Sequence, residues 1–281
     1  MATAATGALT VAFDELRRRT ADKFGDLLQV AATASGTTTT FIDTLNVNAG
    51  AENCNGRMLY LTSGTNGGTL HRVTATTDAT GTLTFTPAAP IGTVLGDTAD
   101  LYNKRGIGFT VAEYKRAVNT AIDDAWPLGL VQLSATVANF VYSTPEVTVP
   151  VAFAEISAVE WQDTGGLWHV IPKGTRTGAW GWRADSALGQ IRIQGDPAFG
   201  ASGRTLRLTG YGRQDTLTAD ADLCALNAEW VVARAAYHLA AGAMMKDPAF
   251  GQWTSLFMQE AERLKTRIRT QRRPNTERVR P

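Results

Sequence analysis

Residues 223–268 carry two successive helical patterns that meet at Asp247-Pro248, and no other stretch constrains the fold as tightly. Leu223, Leu226, Trp230, Ala233, Tyr237 and Ala241 recur at helical spacing, and Ala235, Ala236, Ala240 and Gly242 beside them are small enough for close helix approach. Trp253, Leu256, Phe257, Ala261, Leu264 and Ile268 form a second stripe at about 3.6 residues per turn. Asp247 can cap the amides of the second helix, and Pro248 suits a first helical position where a missing N–H costs little. The expectation is a helical hairpin.

The hairpin runs into a cationic end. Residues 263–281 hold eight basic side chains, Arg263, Lys265, Arg267, Arg269, Arg272, Arg273, Arg278 and Arg280, against the single acid Glu277. That segment is +7 in a chain whose net charge is +1, so the remainder is about −6. Pro274 stops a continuing helix, and residues 274–281 read as an arm without a core of its own, ordered only by a neighbour.

The rest of the chain alternates between helical and extended patterns. Thr10 can cap a helix burying Phe13, Leu16, Thr20 and Phe24, with Arg17, Arg18 and Arg19 mostly outward and Gly25 at its end. Period-two stretches at 27–31, 39–44, 57–62, 69–76, 83–87 and 98–102, separated by glycine-rich turns, predict a first antiparallel β domain over 27–102. The turn Gly64-Thr65-Asn66-Gly67-Gly68 leads into a strand, so it lacks the helix N-terminus a phosphate loop requires. Thr110-Val111-Ala112-Glu113 is a capping box opening a helix with Val111, Tyr114, Val118, Ala121, Ile122 and Ala125 on one side. Strands at 138–142, 146–149, 156–162, 168–172, 179–183, 190–194 and 205–211 predict a second β domain over 129–216, where Trp161, Trp168, Trp180 and Trp182 read chiefly as core, with an intersubunit surface or a sugar-stacking platform as alternatives. The predicted fold is α+β, a four-helix core (10–26, 103–128 and 217–273) with two inserted antiparallel β domains and a C-terminal arm.

Chemistry is sparse. His71, His169 and His238 have no carboxylate or cysteine at metal-ligand spacing, and Cys54 and Cys224 fall in different predicted domains without a C-x-x-C pair, which fits two ordinary thiols. No nucleophile elbow, Walker A, H-E-x-x-H or kinase set is present. Asp123-Asp124 and Asp220-x-Asp222 lie near helix ends, and capping the helix dipole accounts for the second pair. The reading is a non-enzymatic protein with no cofactor and no metal. There are nowhere about 18 consecutive apolar residues and no leader-like N-terminus, so the expectation is a soluble chain without a membrane partner.

Several motifs in order carry a resemblance. Leu16-Arg17-Arg18-Arg19, Thr38 to Asp43, Gly64 to Gly68 with His71-Arg72-Val73, Thr80-Gly81-Thr82-Leu83-Thr84 and Gly96-Asp97 before a capped helix are similar to the front half of tailed-bacteriophage neck proteins. Tyr142-Ser143-Thr144-Pro145, Trp168, Gly189-Gln190-Ile191, Arg204 to Leu208 with Gly210-Tyr211, and Leu217 before the alanine-rich helix resemble the back half. The resemblance covers most of the chain through turn and strand signatures. It implies a head-to-tail connector that binds the portal protein as a ring, commonly of twelve copies, extends the DNA channel, contacts tail or nozzle proteins, and resides in the neck of a virion assembled in the host cytoplasm. Viral DNA would pass through without sequence recognition. Portal docking would fall on the eight basic residues of 263–281. The alternatives are another virion component, such as a tail-tube, tail-completion or decoration protein, or a carbohydrate-binding module.

Overall fold

The structure, a computed structural model, describes residues 3–4, 10–47, 54–103, 108–140, 146–174, 181–194, 203–268 and 277–278. Strands β1 (Thr3–Ala4) and β2 (Val11–Ala12) precede helix α1 (Phe13–Asp22), and strands β3 (Leu28–Ala31), β4 (Thr40–Ile42), β5 (Met58–Leu61), β6 (Leu70–Thr77), β7 (Thr82–Thr86) and β8 (Thr98–Tyr102) follow. These last six pair antiparallel in the order β3-β8-β5-β6-β7-β4, and a bridge between Ala34 and Ile42 brings the two edges together. Six of the stretches that alternate in the sequence are thus these six strands. Gly81 makes the β6–β7 turn with φ +61°, and a side chain there would collide with the Asp43 backbone. Leu59, Leu61, Val73, Leu83, Phe85, Ala99 and Leu101 fill the interior, as alternation requires, and the outward residues Tyr60 and Tyr102 join the helices instead.

Helix α2 (Val111–Ala125) begins at the predicted capping box: Glu113 N donates to Thr110 Oγ1 at 3.2 Å and Thr110 N donates to Glu113 Oε2 at 2.7 Å. Beyond it lie β9 (Val131–Phe140), β10 (Glu146–Thr148), β11 (Phe153–Gln162), β12 (Trp168–Ile171), β13 (Gly181–Asp185), β14 (Gln190–Gln194), β15 (Arg204–Gly212) and β16 (Leu223–Cys224). The chain ends with α3 (Ala228–Met244), α4 (Phe250–Ile268) and β17 (Glu277–Arg278). One sheet runs β1-β9-β15-β11-β12 with β17 also on β11, and a smaller one runs β10-β14-β13. Their apolar faces share one cluster, in which Val147, Trp182, Ile191 and Ile193 of the small sheet join Phe153, Ile156, Val159, Leu206 and Leu208 of the large one. The turn expected at Gly195-Asp196-Pro197, Trp180 and the motif Tyr142-Ser143-Thr144-Pro145 lie outside the described residues.

The fold is mixed α+β with four helices and several antiparallel sheets, but the expected four-helix core is corrected. Helix α3 packs on α1, α2 and α4, and the apolar cluster that surrounds it continues without a break into the two sheets of the second β region. The reason is α3 itself. Trp230, Val231, Val232, Ala233, Ala235, Ala236, Leu239 and Ala240 are all buried, so this helix is apolar over most of its circumference and is covered on all but the face of Arg234, His238 and Gly242.

Two helix starts also differ from the sequence reading. Thr10 does not cap α1; Ala12 precedes it without a side-chain bond, and Phe13 N and Asp14 N donate to the carbonyl oxygens of Asp222 and Asp220 at 2.9 and 3.1 Å. Leu223 and Cys224 are not helical. They pair with Ala12 and Val11, and α3 begins after Asn227, whose Oδ1 accepts from Trp230 N at 3.0 Å. No helix among the described residues is long and apolar enough to cross a membrane.

Candidate functional site

The docking residues singled out in the sequence sit on or beyond α4. Phe257, Ala261, Leu264 and Ile268 bury one face of this helix, which is why the predicted stripe holds it against α3. Trp253, Leu256 and Met258 remain exposed on it, as do Met244 and Met245 at the end of α3. Asp247 caps the turn between the two helices, its Oδ1 accepting from Ala249 N at 2.9 Å, and the helix itself starts at Phe250.

Of the eight basic residues, three are on the helix. Lys265 pairs with Glu262 at 3.1 Å, Arg267 pairs with Glu229 of α3, and Arg263 is exposed without an ion pair among the described residues. A cleft of about 490 Å³ between α1, α3 and α4 is lined by Arg19, Asp22, Lys23, Glu229, Glu260 and Arg263, with Lys23 bonded to Glu260 at 2.6 Å. Arg269, Arg272, Arg273 and Arg280 lie outside the described residues. Arg278 is in β17, which pairs antiparallel with β11 in a register that sets the Arg278 backbone opposite Glu155 and that of Glu277 opposite Ile156. The expectation that residues 274–281 order only against a neighbour is therefore corrected at these two positions. Strand β12 pairs with β11 only from Val159 to Gln162, and the unpaired amides and carbonyls of the earlier half accept a strand from the same chain.

The strongest electrostatic feature centres on a residue whose charge, rather than its spacing, suggests the wrong position. Arg17, expected to point outward, is fully buried, and Arg18 is only partly exposed. Arg17 Nη2 lies 3.0 Å from Asp100 Oδ2, Nη1 lies 3.1 Å from Asp220 Oδ2, Nε donates to Tyr102 Oη at 2.8 Å, and the guanidinium sits 4.4 Å from the Tyr60 ring centre. Tyr60, Asp100 and Tyr102 are the outward-facing positions of β5 and β8, so strand alternation delivers them to one face of α1. Tyr60 Oη donates to Asp220 Oδ2 at 2.5 Å, and Lys115 of α2 stands 2.6 Å from Oδ1. This constellation locks the barrel onto the helices. It also shows that Asp220 and Asp222 do not cap α3: Asp222 accepts from Thr218 N and Ala219 N.

Burial alone would raise the Asp220 carboxyl, but the hydrogen bonds from Lys115 and Tyr60 and the Arg17 charge outweigh it and hold its pKa below the usual range. Burial pushes the Tyr102 hydroxyl upward, so it stays protonated. A carboxyl with a depressed folded-state pKa stabilises the fold above its unfolded value, near pH 4, and that contribution is lost as pH falls through the folded value. Asp220→Asn is expected to flatten the dependence of the urea midpoint on pH below about 4, while lowering the midpoint at neutral pH. An acid limb as steep as that of the unaltered chain would refute this assignment.

The remaining polar candidates are local. His238 and Arg234 share Asp124 at 2.8 and 2.6 Å, His169 bonds Asp163 at 2.8 Å, and no cluster that could hold a metal occurs among the described residues. Burial pushes the Cys224 thiol up to about 11. Trp182 is in the core, whereas Trp161 and Trp168 are half-buried with Arg204 and Arg207 at 5.1 and 4.4 Å over their rings, occupying faces on which a sugar would stack. No protein-family model matches the chain, and no curated protein is significantly similar to it.

Proposed function

We propose that the protein is a non-enzymatic structural virion component, a head-to-tail adaptor that joins the portal as a ring and extends the channel through which DNA leaves. The observation that carries this reading is the α3–α4 hairpin. It is anchored by a buried face, yet Met245, Trp253, Leu256 and Met258 are exposed along it, as are Arg263 and Arg267 toward the end of the chain that bears +7. Exposed aromatic, methionine and arginine side chains on a rigid support are the composition of a protein interface. Arginines so placed can meet carboxylates bidentately, and copies repeated around a ring would multiply a modest contact.

In this reading the pairing of β17 with β11 is the resting position of the arm, and the basic segment between Ile268 and Glu277 reaches the portal. A chain ending at Ile268 keeps the last buried residue of α4, whereas a cut at Arg263 would remove Leu264 and Ile268 from the core. The shortened chain, lacking residues 269–281, gives up only the two-residue pairing of β17 with β11 among the described contacts, so it is expected to stay folded with a slightly lower unfolding temperature and to lose binding to purified portal rings. Electron micrographs showing it still seated on the portal would overturn the docking assignment.

A further inference from the structure

Strand β17 occupies a seat on β11 that admits two residues. It pairs with Glu155 and Ile156 only, and β11 slips register against β15 on either side of them, between Phe153 and Glu155 and between Ile156 and Ala158. Bulges of this kind bend the free edge before and after the seat, so a longer strand cannot follow it. Gly210 of β15 lets β11 come in close there, because a side chain on it would collide with the Glu155 carbonyl. Ile156 and Glu155 are both buried. The seat is thus selective for a short strand, and β17 is held in it by the backbone bonds of two residues, which open readily.

The chain between α4 and β17 is longer than this seat requires. The Ile268 carbonyl oxygen lies 3.3 Å from where a side chain on Gly129 would start, just ahead of β9. The seat is level with Gln132 and Leu133 of β9, to which it is linked through Tyr211 and Gly210 of β15. Four residues along β9 and three strand spacings across place it roughly 20 Å from Ile268. Nine Cα–Cα steps separate Ile268 from Glu277, and these reach up to about 30 Å. An arm that stays on its own seat can therefore bow outward by only about 11 Å at its middle. Docking of Arg269, Arg272 and Arg273 in a groove of the portal pulls against a two-residue pairing, and the same reach brings β17 to an identical seat on a copy standing alongside.

We propose that in the assembled ring β17 leaves its own β11 and pairs with β11 of a second copy, so that each subunit gives one arm and receives one. The contact is the one already present within the chain, so the exchange needs no new complementarity and is favoured by the high local concentration of seats once copies stand side by side. Giver and receiver surfaces differ, so the exchange runs round the ring in one direction. The proposal rests on the ring reading above and specifies how neighbouring subunits are tied.

Paired cysteines tell a home seat from a neighbour's. Opposed residues of antiparallel strands stand about 4.5–5.5 Å apart at Cα, within the span of a disulfide, and the native Cys54 and Cys224 are buried. The double variant Glu155→Cys/Arg278→Cys, oxidised as free protein at low concentration, should close on itself and keep the mass of one copy, which shows that the pair can bond. Oxidised on purified portal rings, it should instead give a ladder of linked copies. Glu155→Cys and Arg278→Cys on separate chains, mixed in equal amounts, should yield mixed dimers at least about tenfold more abundantly on the portal than in free solution. Because both seat residues are buried, Ile156→Cys with Glu277→Cys is run in parallel, and the pair whose thermal unfolding temperature stays nearer that of the unaltered chain decides. Portal-bound chains that give no mixed dimers and no ladder overturn the exchange and leave portal docking standing. Unaltered chains that stay off the portal in electron micrographs overturn the ring reading and the exchange together.

Discussion

Replacing Arg17 by methionine is expected to destabilise the protein by about 3–5 kcal/mol, because removing one partner of a buried ionic cluster leaves the others uncompensated. Asp100 is almost wholly buried and would keep only Arg18 as a cationic partner. Asp220 would retain Lys115, and Tyr102 would lose the donor that its hydroxyl accepts from. Neutralising the stranded carboxylate should recover part of the loss, so Arg17→Met/Asp100→Asn is expected to be less destabilised than the sum of the single changes. Arg19→Met is the control. Arg19 pairs with Glu15 at 2.8 Å on an exposed face, where an ion pair contributes at most about 1 kcal/mol. Urea unfolding followed by near-ultraviolet dichroism measures all four chains, and equal midpoints for Arg17→Met and Arg19→Met would sink the argument.

The second large effect is expected at Phe257, where alanine should cost about 3–5 kcal/mol. Its ring lies 5.2 Å from Phe24 in an edge-to-face arrangement and 5.6 Å from Trp253, and it is 2% exposed. Loss of the ring opens a cavity where α4 meets the end of α1, so the hairpin should loosen and the proposed portal docking should fall with it. Leu256→Ala separates the two consequences. Leu256 is 58% exposed, so its removal should leave stability nearly unchanged and reduce only docking. If Phe257→Ala unfolds at the same denaturant concentration as Leu256→Ala, α4 is not anchored as described.

Much of this fold could be read from residue order because local rules decide it. The barrel strands obey alternation, Thr110 and Glu113 make their box, and Phe257, Ala261, Leu264 and Ile268 are buried at the predicted spacing. Spacing in fact puts Arg17 four residues after Phe13, on the stripe of Phe13, Leu16, Thr20 and Phe24, and only its charge argues for an outward position; what lets it stay inside is Asp100, Tyr102 and Asp220, brought there by pairings 83 to 203 residues away. A signal did exist: Asp100 and Tyr102 occupy alternate positions of a strand whose other face, Ala99 and Leu101, is apolar, so two polar groups had to meet something. The two-residue strands at Val11–Ala12, Leu223–Cys224 and Glu277–Arg278 were equally hidden, being too short for any period to show. For the proposed docking surface, composition singles out the cationic end but not the exposed Trp253 and Leu256, which share the stripe of their buried neighbours.

The capping of α1 by Asp220 and Asp222 sets an order of events during synthesis. The barrel closes on itself within residues 28–102 and can complete while the chain is still being made. The amides that open α1 have to wait for carbonyls more than two hundred residues later in translation. Maturation of the helical half is therefore a late step of high contact order, and a ribosome halted before residue 220 should release a finished barrel flanked by an unformed N-terminus.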